Sequence, residues 1–309
     1  MTHPPVRRIH LIYNPVAGQR RQGFVGAVVQ GLAEAGVEIV ERPTSHRGHA
    51  ETLAAAAVAE RAELIAVAGG DGTINEVING IAHAPGGPDV PFGIVPCGTA
   101  NVLAHEIGLR VEARATVETL LSGVPRAIRP GVANGRLFAF SLGAGFDAQA
   151  VEAVDPAIKA RFGPGAYIWS ALGRVVSRPP DSYTVVVDGV RHEASSVVVA
   201  KGRHYAGGYV LAPGADLCAD HFEVCLFRFP TRAHMLLFGG ALLAGGATRL
   251  GNAKSIRAGT VEISGRAGER VQIDGDVGGP LPCRIGLHPE HLGLLYPPGA
   301  RPRRPAAAN

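Results

Sequence analysis

The strongest constraint on this chain is a change of rhythm at about residue 125. Before it, short apolar runs at 9–13, 37–40, 64–68 and 92–95 alternate with Ala-rich stretches of helical period at 23–35, 48–62, 73–82 and 99–107. That alternation predicts an α/β layer structure: parallel strands need crossovers long enough for a helix, and the helices then cover both sheet faces. After residue 125 the runs at 137–142, 183–187, 196–200, 222–229, 261–264 and 271–273 are separated by turns, and Asp188-Gly189 between YTVVV and VRHEA signals a hairpin. Helical patterns interrupt that series near 156–176 and 231–247. The second half therefore reads as a mainly antiparallel β domain with a few helices. A cleft between the halves is a natural place for a site.

Composition removes several classes of function. With 46% hydrophobic and 18% charged residues the chain is too apolar to be disordered. The 42 glycines in 309 residues are about twice the usual share of ~7%, without a collagen repeat. Lysine occurs only as Lys159, Lys201 and Lys254, so Arg supplies nearly all of the 30 basic residues. GC-rich codon usage would raise Gly, Ala, Arg and Pro together, but it does not place glycines in motifs. A net charge of +4, with no basic run interleaved with aromatics, gives no support to nucleic-acid binding, and Arg301, Arg303 and Arg304 read as a solvated end. The 4 cysteines show no C-x-x-C and the start MTHPPVRRIH has no apolar signal core, which predicts a cytoplasmic chain with reduced thiols. The 12 histidines lack zinc-site spacing. The longest apolar stretch, 235–247, falls short of the roughly 20 residues that span a bilayer and reads as a buried or interfacial helix.

Three turns carry the chemistry. The run at 64–68 leads into Gly69-Gly70-Asp71-Gly72-Thr73-Ile74-Asn75-Glu76, the run at 9–13 into Asn14-Pro15-Val16-Ala17-Gly18, and the run at 92–95 into Pro96-Cys97-Gly98-Thr99-Ala100-Asn101. In an open α/β sheet, ligands bind beyond the carboxyl ends of the strands, where helix N-termini present N–H groups to anions. Gly69, Gly70 and Gly72 would admit phosphates to bare backbone, and Asp71 could reach a phosphate-bound Mg2+. A single G-G-D-G is equally an ordinary connection with Asp71 as a helix cap. Three such turns on one sheet edge, with Pro43-Thr44-Ser45 beside them, favour a nucleotide pocket. No G-x-x-x-x-G-K-[ST] occurs, no lysine falls in these turns and no G-x-G-x-x-G follows the first strand. Phosphate charge would then fall to backbone N–H groups, Mg2+ and arginine.

In that order and spacing, NPVAG, GGDGT and G-T-x-N resemble the diacylglycerol kinase catalytic family, which includes bacterial lipid kinases and the sphingosine and ceramide kinases. Ser141 to Asp147 (SLGAGFD), Pro213 to Leu217 (PGADL) with Phe222-Glu223-Val224, and Val271 to Asp276 (VQIDGD) extend the resemblance over almost the whole chain. It implies an N-terminal nucleotide-binding α/β domain like that of phosphofructokinases and NAD kinases over 1–125, with a segment of about 291–300 returning to it. A mainly antiparallel β-sandwich lipid-substrate domain would occupy 126–290. It further implies ATP lined by Asn14, Pro15, Val16, Ala17, Gly18, Thr44, Gly69, Gly70, Asp71, Gly72, Thr73, Ile74, Asn75 and Thr99, with Asp71 helping to hold Mg2+. Asp276 stands where the family's D-G-E motif places the carboxylate proposed to take the lipid hydroxyl's proton. The bare residues leave Asp276 open to being only a turn residue.

The expected partner is a diacylglycerol-like or long-chain-base lipid met at the inner membrane surface, and a homodimer is left open. Three departures stand out. Asp276 replaces the usual Glu; Val102-Leu103-Ala104 follows Asn101 where many bacterial members carry Asp; and Ala219 falls on the carboxylate position of a structural Mg2+ site, leaving Asp216 and Asp220 as its remaining candidate ligands. Two alternatives remain: a non-catalytic nucleotide- or lipid-binding regulator, and an NAD kinase-like enzyme with a soluble substrate. Residues 201–209 (KGRHYAGGY) read as a solvated loop, and Tyr167 and Trp169 as core.

Overall fold

In the first sheet, β1 (Arg8–Tyr13), β2 (Glu38–Pro43), β3 (Leu64–Gly69) and β4 (Phe92–Pro96) pair in parallel in the order β2-β1-β3-β4. The carboxyl-terminal strand Leu292–Tyr296 continues the sheet, parallel to β4 and antiparallel to β5 (Val124–Ile128), which makes the sheet mixed. This computed structural model describes residues 6–15, 22–145, 148, 182–229, 231–243 and 253–300. Two units divide it, one of Met1–Arg129 with Pro289–Pro302 and the other built on Pro130–His288.

Helices α1 (Gln22–Glu34), α2 (His49–Ala59), α3 (Asp71–His83), α4 (Val102–Ile107) and α5 (Ala113–Ser122) belong to the first unit. Every residue of β3 and β4 is buried, as helices on both faces require. On one face Ile9 and Leu11 pack with Val28 and Leu32 of α1. Helices α2 and α3 approach so closely that a Cβ on Gly80 would lie 2.2 Å from the Glu51 carbonyl oxygen. The α5 helix escaped the sequence reading because its buried positions include Thr116 and Thr119. Each buries its hydroxyl by donating it to the carbonyl four residues back, Glu112 at 3.0 Å and Ala115 at 2.7 Å.

The second unit contains β6 (Gly131–Ala133), β7 (Arg136–Phe138), β8 (Ser141–Gly145), β9 (Tyr183–Val187), β10 (Val190–Ala194), β11 (Ser196–Ala200), β12 (His204–Tyr205) and β13 (Tyr209–Val210). It continues with β14 (Phe222–Phe227), α6 (Arg232–Leu243), β15 (Ala253–Ala258), β16 (Val261–Ser264), β17 (Arg270–Ile273), β18 (Asp276–Pro280) and β19 (Cys283–Leu287). One sheet runs β10-β9-β16-β19-β6-β7 and the other β15-β14-β11-β8-β17-β18, with antiparallel neighbours throughout. A shared core joins Leu142, Val197, Val199 and Val224 of one sheet to Val185, Val261 and Ile285 of the other, which defines a β-sandwich. The Asp188-Gly189 hairpin forms as expected, Val187 opposite Val190, with φ of 45° and 83° at its two central residues.

Two expectations from the sequence need correction. The run at 137–142 is not one strand: β7 and β8 belong to different sheets. The break falls at Ala139 and Phe140, whose N–H groups are captured by the Asp274 carboxylate instead of a neighbouring strand. Residues 201–209 are not a solvated loop either, because Lys201 is fully buried and β12 pairs with β13. The helical pattern near 156–176, with Tyr167 and Trp169, lies outside the described residues, as does the end of the 231–247 pattern beyond Leu243.

Candidate active site

Backbone hydrogen bonds tie the carboxyl ends of four strands together. Thr44 N–H donates to the Tyr13 carbonyl (2.9 Å), Asn14 N–H to that of Ala68 (3.2 Å) and Cys97 N–H to that of Gly69 (3.0 Å). Asn14, Thr44, Gly69-Gly70 and Gly98-Thr99 therefore stand side by side on one edge. The strand order reverses between β1 and β3, and such a switch point opens a crevice at the carboxyl ends. A cavity of about 280 Å3 lies there, lined by Tyr13, Asn14, Pro15, Ala68 and Cys97 with Val25 of α1. Val16, Ala17 and Gly18 lie outside the described residues.

The α3 helix starts at Asp71, two residues earlier than its apolar period suggests, with Gly70 extended before it and no side chain capping it. Asp71, Gly72 and Thr73 thus form a first turn whose N–H groups have no acceptor within the helix, the arrangement that favours an anion. The Asp71 carboxylate caps a different helix, accepting the Leu103 N–H of α4 at 3.3 Å. Gly69 and Gly98 have packing reasons to lack a side chain. A Cβ on Gly69 would meet the Thr73 Cβ at 2.6 Å, and one on Gly98 would meet the Gly70 Cα at 2.6 Å. The GGDGT and G-T-x-N turns therefore touch backbone to backbone.

Ile74 and Asn75 point into the interior rather than toward the edge: Ile74 is buried, and Asn75 is buried with its Oδ1 accepting Asn79 Nδ2 at 3.2 Å. Thr99 is exposed. The sequence reading gave no role to two residues that the structure brings into the site's framework. Glu76 accepts the Gly48 N–H (2.8 Å) and Ala50 N–H (3.1 Å), holding the start of α2. Asn101, held in a left-handed conformation with φ 46°, buries an Oδ1 that accepts no hydrogen bond beside the Gly98 backbone. Its position in G-T-x-N was the only signal for it.

In the second unit Asp274 and Gly275, with φ of 48° and 81°, form the turn between β17 and β18, and Asp276 is the first strand residue after it. Asp274 is 3% exposed and accepts the N–H groups of Ala139 (2.6 Å), Phe140 (3.0 Å) and Ser141 (3.0 Å). Its own N–H donates to the Ser141 carbonyl. Gln272 completes the frame, accepting the Gly275 N–H at 2.8 Å and donating to the Ser141 Oγ at 3.3 Å. Asp276 is only half-buried, opposite Ile273. Of the two carboxylates, Asp274 builds the hairpin and Asp276 is presented by it.

The loop at 216–222 is tied differently. Asp216 Oδ1 accepts the Cys218 N–H at 2.9 Å, Asp220 is exposed, and the Lys201 ammonium reaches the carbonyls of Ala219 and His221. Burial and then the charges of Arg257 and Lys201 hold the His221 imidazole below its usual value, against the opposing pull of Asp216 and Asp220. Among the described residues no group of three or more His, Cys, Asp or Glu is arranged to hold a metal ion. Among them also, no helix is long and apolar enough to cross a membrane.

One unit thus carries a switch-point edge of Gly-containing turns, and the other a carboxylate-bearing hairpin on a β-sandwich. Residues 8–133 match the diacylglycerol kinase catalytic domain, and residues 141–296 match the YegS C-terminal NAD kinase beta sandwich-like domain. The chain belongs to the diacylglycerol kinase catalytic family and is a lipid kinase. It is 27% identical over 296 residues to a diacylglycerol kinase of Bacillus subtilis, covering 94% of this chain and 97% of that one. It is 28% identical over 305 residues to a diacylglycerol kinase of Mycobacterium tuberculosis, covering 94% and 96%. The crystal structure of a diacylglycerol kinase from Bacillus anthracis superposes with a TM-score of 0.76 at 23% identity, over 97% of this chain and 100% of that one, which shows the shared fold.

Proposed function

We propose that this lipid kinase moves the γ-phosphate of ATP to a hydroxyl of a diacylglycerol-like or long-chain-base lipid, met at a membrane surface by the second unit while the first unit holds the nucleotide. The observation that carries the reading is the laterally bonded edge, where Asn14, Thr44, Gly69 to Thr73 and Thr99 adjoin the start of α3. Relatives named diacylglycerol kinase over nearly the full length supply the lipid class.

Phosphoryl transfer asks a protein chiefly for positioning and charge stabilisation. The first-turn N–H groups of α3 would receive phosphate oxygens, and Gly70 and Gly98 keep that approach free of side chains. Asp71 and the orphaned Oδ1 of Asn101 fit a Mg2+ carried in by ATP, since one offers negative charge and the other an unmatched buried acceptor. A bound Mg2+ would neutralise charge on the phosphates. Asp276 would orient the lipid hydroxyl and accept its proton as the new O–P bond forms and the bond from the γ-phosphorus to the bridging oxygen breaks, releasing ADP. Asp274 is unsuited to that role because its carboxylate already accepts three backbone hydrogen bonds.

The test is incubation of the purified chain with γ-labelled ATP and a total lipid extract, with labelled products identified by mass. Asp71→Ala should abolish labelling while the protein stays folded; retained labelling in that variant would remove the nucleotide assignment.

A further inference from the structure

Lys201 has no exposed surface, in a chain that otherwise uses Arg for nearly every positive charge. Burying an ammonium is costly unless hydrogen bonds and charges compensate it. Lys201 follows β11, and its own N–H donates to the Phe140 carbonyl at 2.9 Å, so its stem starts from a fixed point. Its Nζ then donates to the carbonyl oxygens of Ala219 and, at 3.3 Å, of His221. A compact ammonium can serve two carbonyls from within a narrow space; the planar fork of Arg suits carboxylates and phosphates instead.

Gathering main-chain and carboxylate oxygens of one loop is what a bound divalent cation does in oxygen-ligand sites. The family resemblance places such a Mg2+ in this loop, with a carboxylate where Ala219 stands. The residues present do not fit it. Ala219 offers only its carbonyl oxygen, and Lys201 already takes it. One oxygen of Asp216 is engaged in its own turn, accepting the Cys218 N–H while the Ala219 N–H returns to the Asp216 carbonyl. Asp220 is exposed.

We propose that the Lys201 ammonium is the resident cation of the 216–222 loop, gathering its carbonyls in place of a divalent metal, so that the second unit holds this loop without one. The assignment is independent of which lipid the enzyme phosphorylates.

Thermal unfolding of the full chain without nucleotide tests it, in an Asp71→Ala background that removes the nucleotide-linked acid. After EDTA treatment the melting temperature should not change on addition of Mg2+, Ca2+ or Mn2+ chloride. Lys201→Met keeps the length and removes the charge; it should melt several degrees lower. A melting temperature that falls with EDTA and recovers with Mg2+, with Asp216→Ala or Asp220→Ala abolishing the recovery, would overturn the proposal. So would a Lys201→Met variant that melts with its parent. If Lys201→Met does not fold, the EDTA series on the parent chain decides alone.

Discussion

At the scale of single residues, two aspartates separated by one glycine have different tasks. Asp274 faces inward and gathers three N–H groups, whereas Asp276 is half-exposed at the start of β18. Asp274→Asn would turn an amide donor toward those N–H groups, so it should cost about 2–3 kcal/mol of stability in urea unfolding, in the range for a broken buried charged hydrogen bond. Asp276→Asn should change stability by less than about 1 kcal/mol, typical of a partly exposed site, yet lower kcat by roughly 10^2–10^4, the share of a general base. The sequence motif D-G-D shows both carboxylates but not which is buried, because that depends on backbone more than 130 positions away. Lys201 was illegible for the same reason: its neighbours in the chain read as a loop, and its partners lie 18 and 20 residues further on.

At the scale of elements, the βα units before residue 125 were legible because β1, β3 and β4 are mostly apolar runs ending in Gly-containing turns, whereas β2, with Glu38 and Glu41 in it, runs on to Pro43 beyond its short apolar stretch. Element edges were less so. The start of α3 moves to Asp71 because the last residues of the GGDGT turn are already helical, and β7 and β8 part because Asp274 intervenes. Contacts between elements set two testable dependences. Glu76 of α3 accepts two N–H groups at the start of α2, so Glu76→Ala should cost about 1–2 kcal/mol by denaturant unfolding, as loss of a good helix cap does. In Gly98→Ala the new methyl would meet Gly70 and force the two Gly-rich turns apart. Its KM for ATP should rise, while a Gly36→Ala control, at a turn with open space but φ 79°, should lose only stability.

At the scale of the whole molecule, both units should weaken in acid, each for its own reason. His10 in β1 is buried, accepts a hydrogen bond from the Arg42 side chain on Nδ1, and is held below its usual 6.5 by burial and then by the Arg42 charge. The unfolded chain takes up that proton first, so the contribution present above pH 6.5 should be lost as pH falls through the lower folded value. Burial raises the Asp188 carboxyl, but hydrogen bonds from Thr260 and Gly259 outweigh it and hold the group below its usual 3.8. Its contribution should persist above pH 3.8 and disappear only below it. Unfolding followed against pH should show the first loss removed by His10→Gln and the second by Asp188→Asn. The central claim, ATP-dependent phosphorylation of a lipid hydroxyl with Asp276 as the proton acceptor, is tested most directly by one assay. Incorporation of labelled γ-phosphate into a lipid extract should be clear for the unaltered chain and fall by roughly 10^2–10^4 for folded Asp276→Asn. Undiminished lipid labelling by Asp276→Asn, or label found only in water-soluble products, would contradict the account.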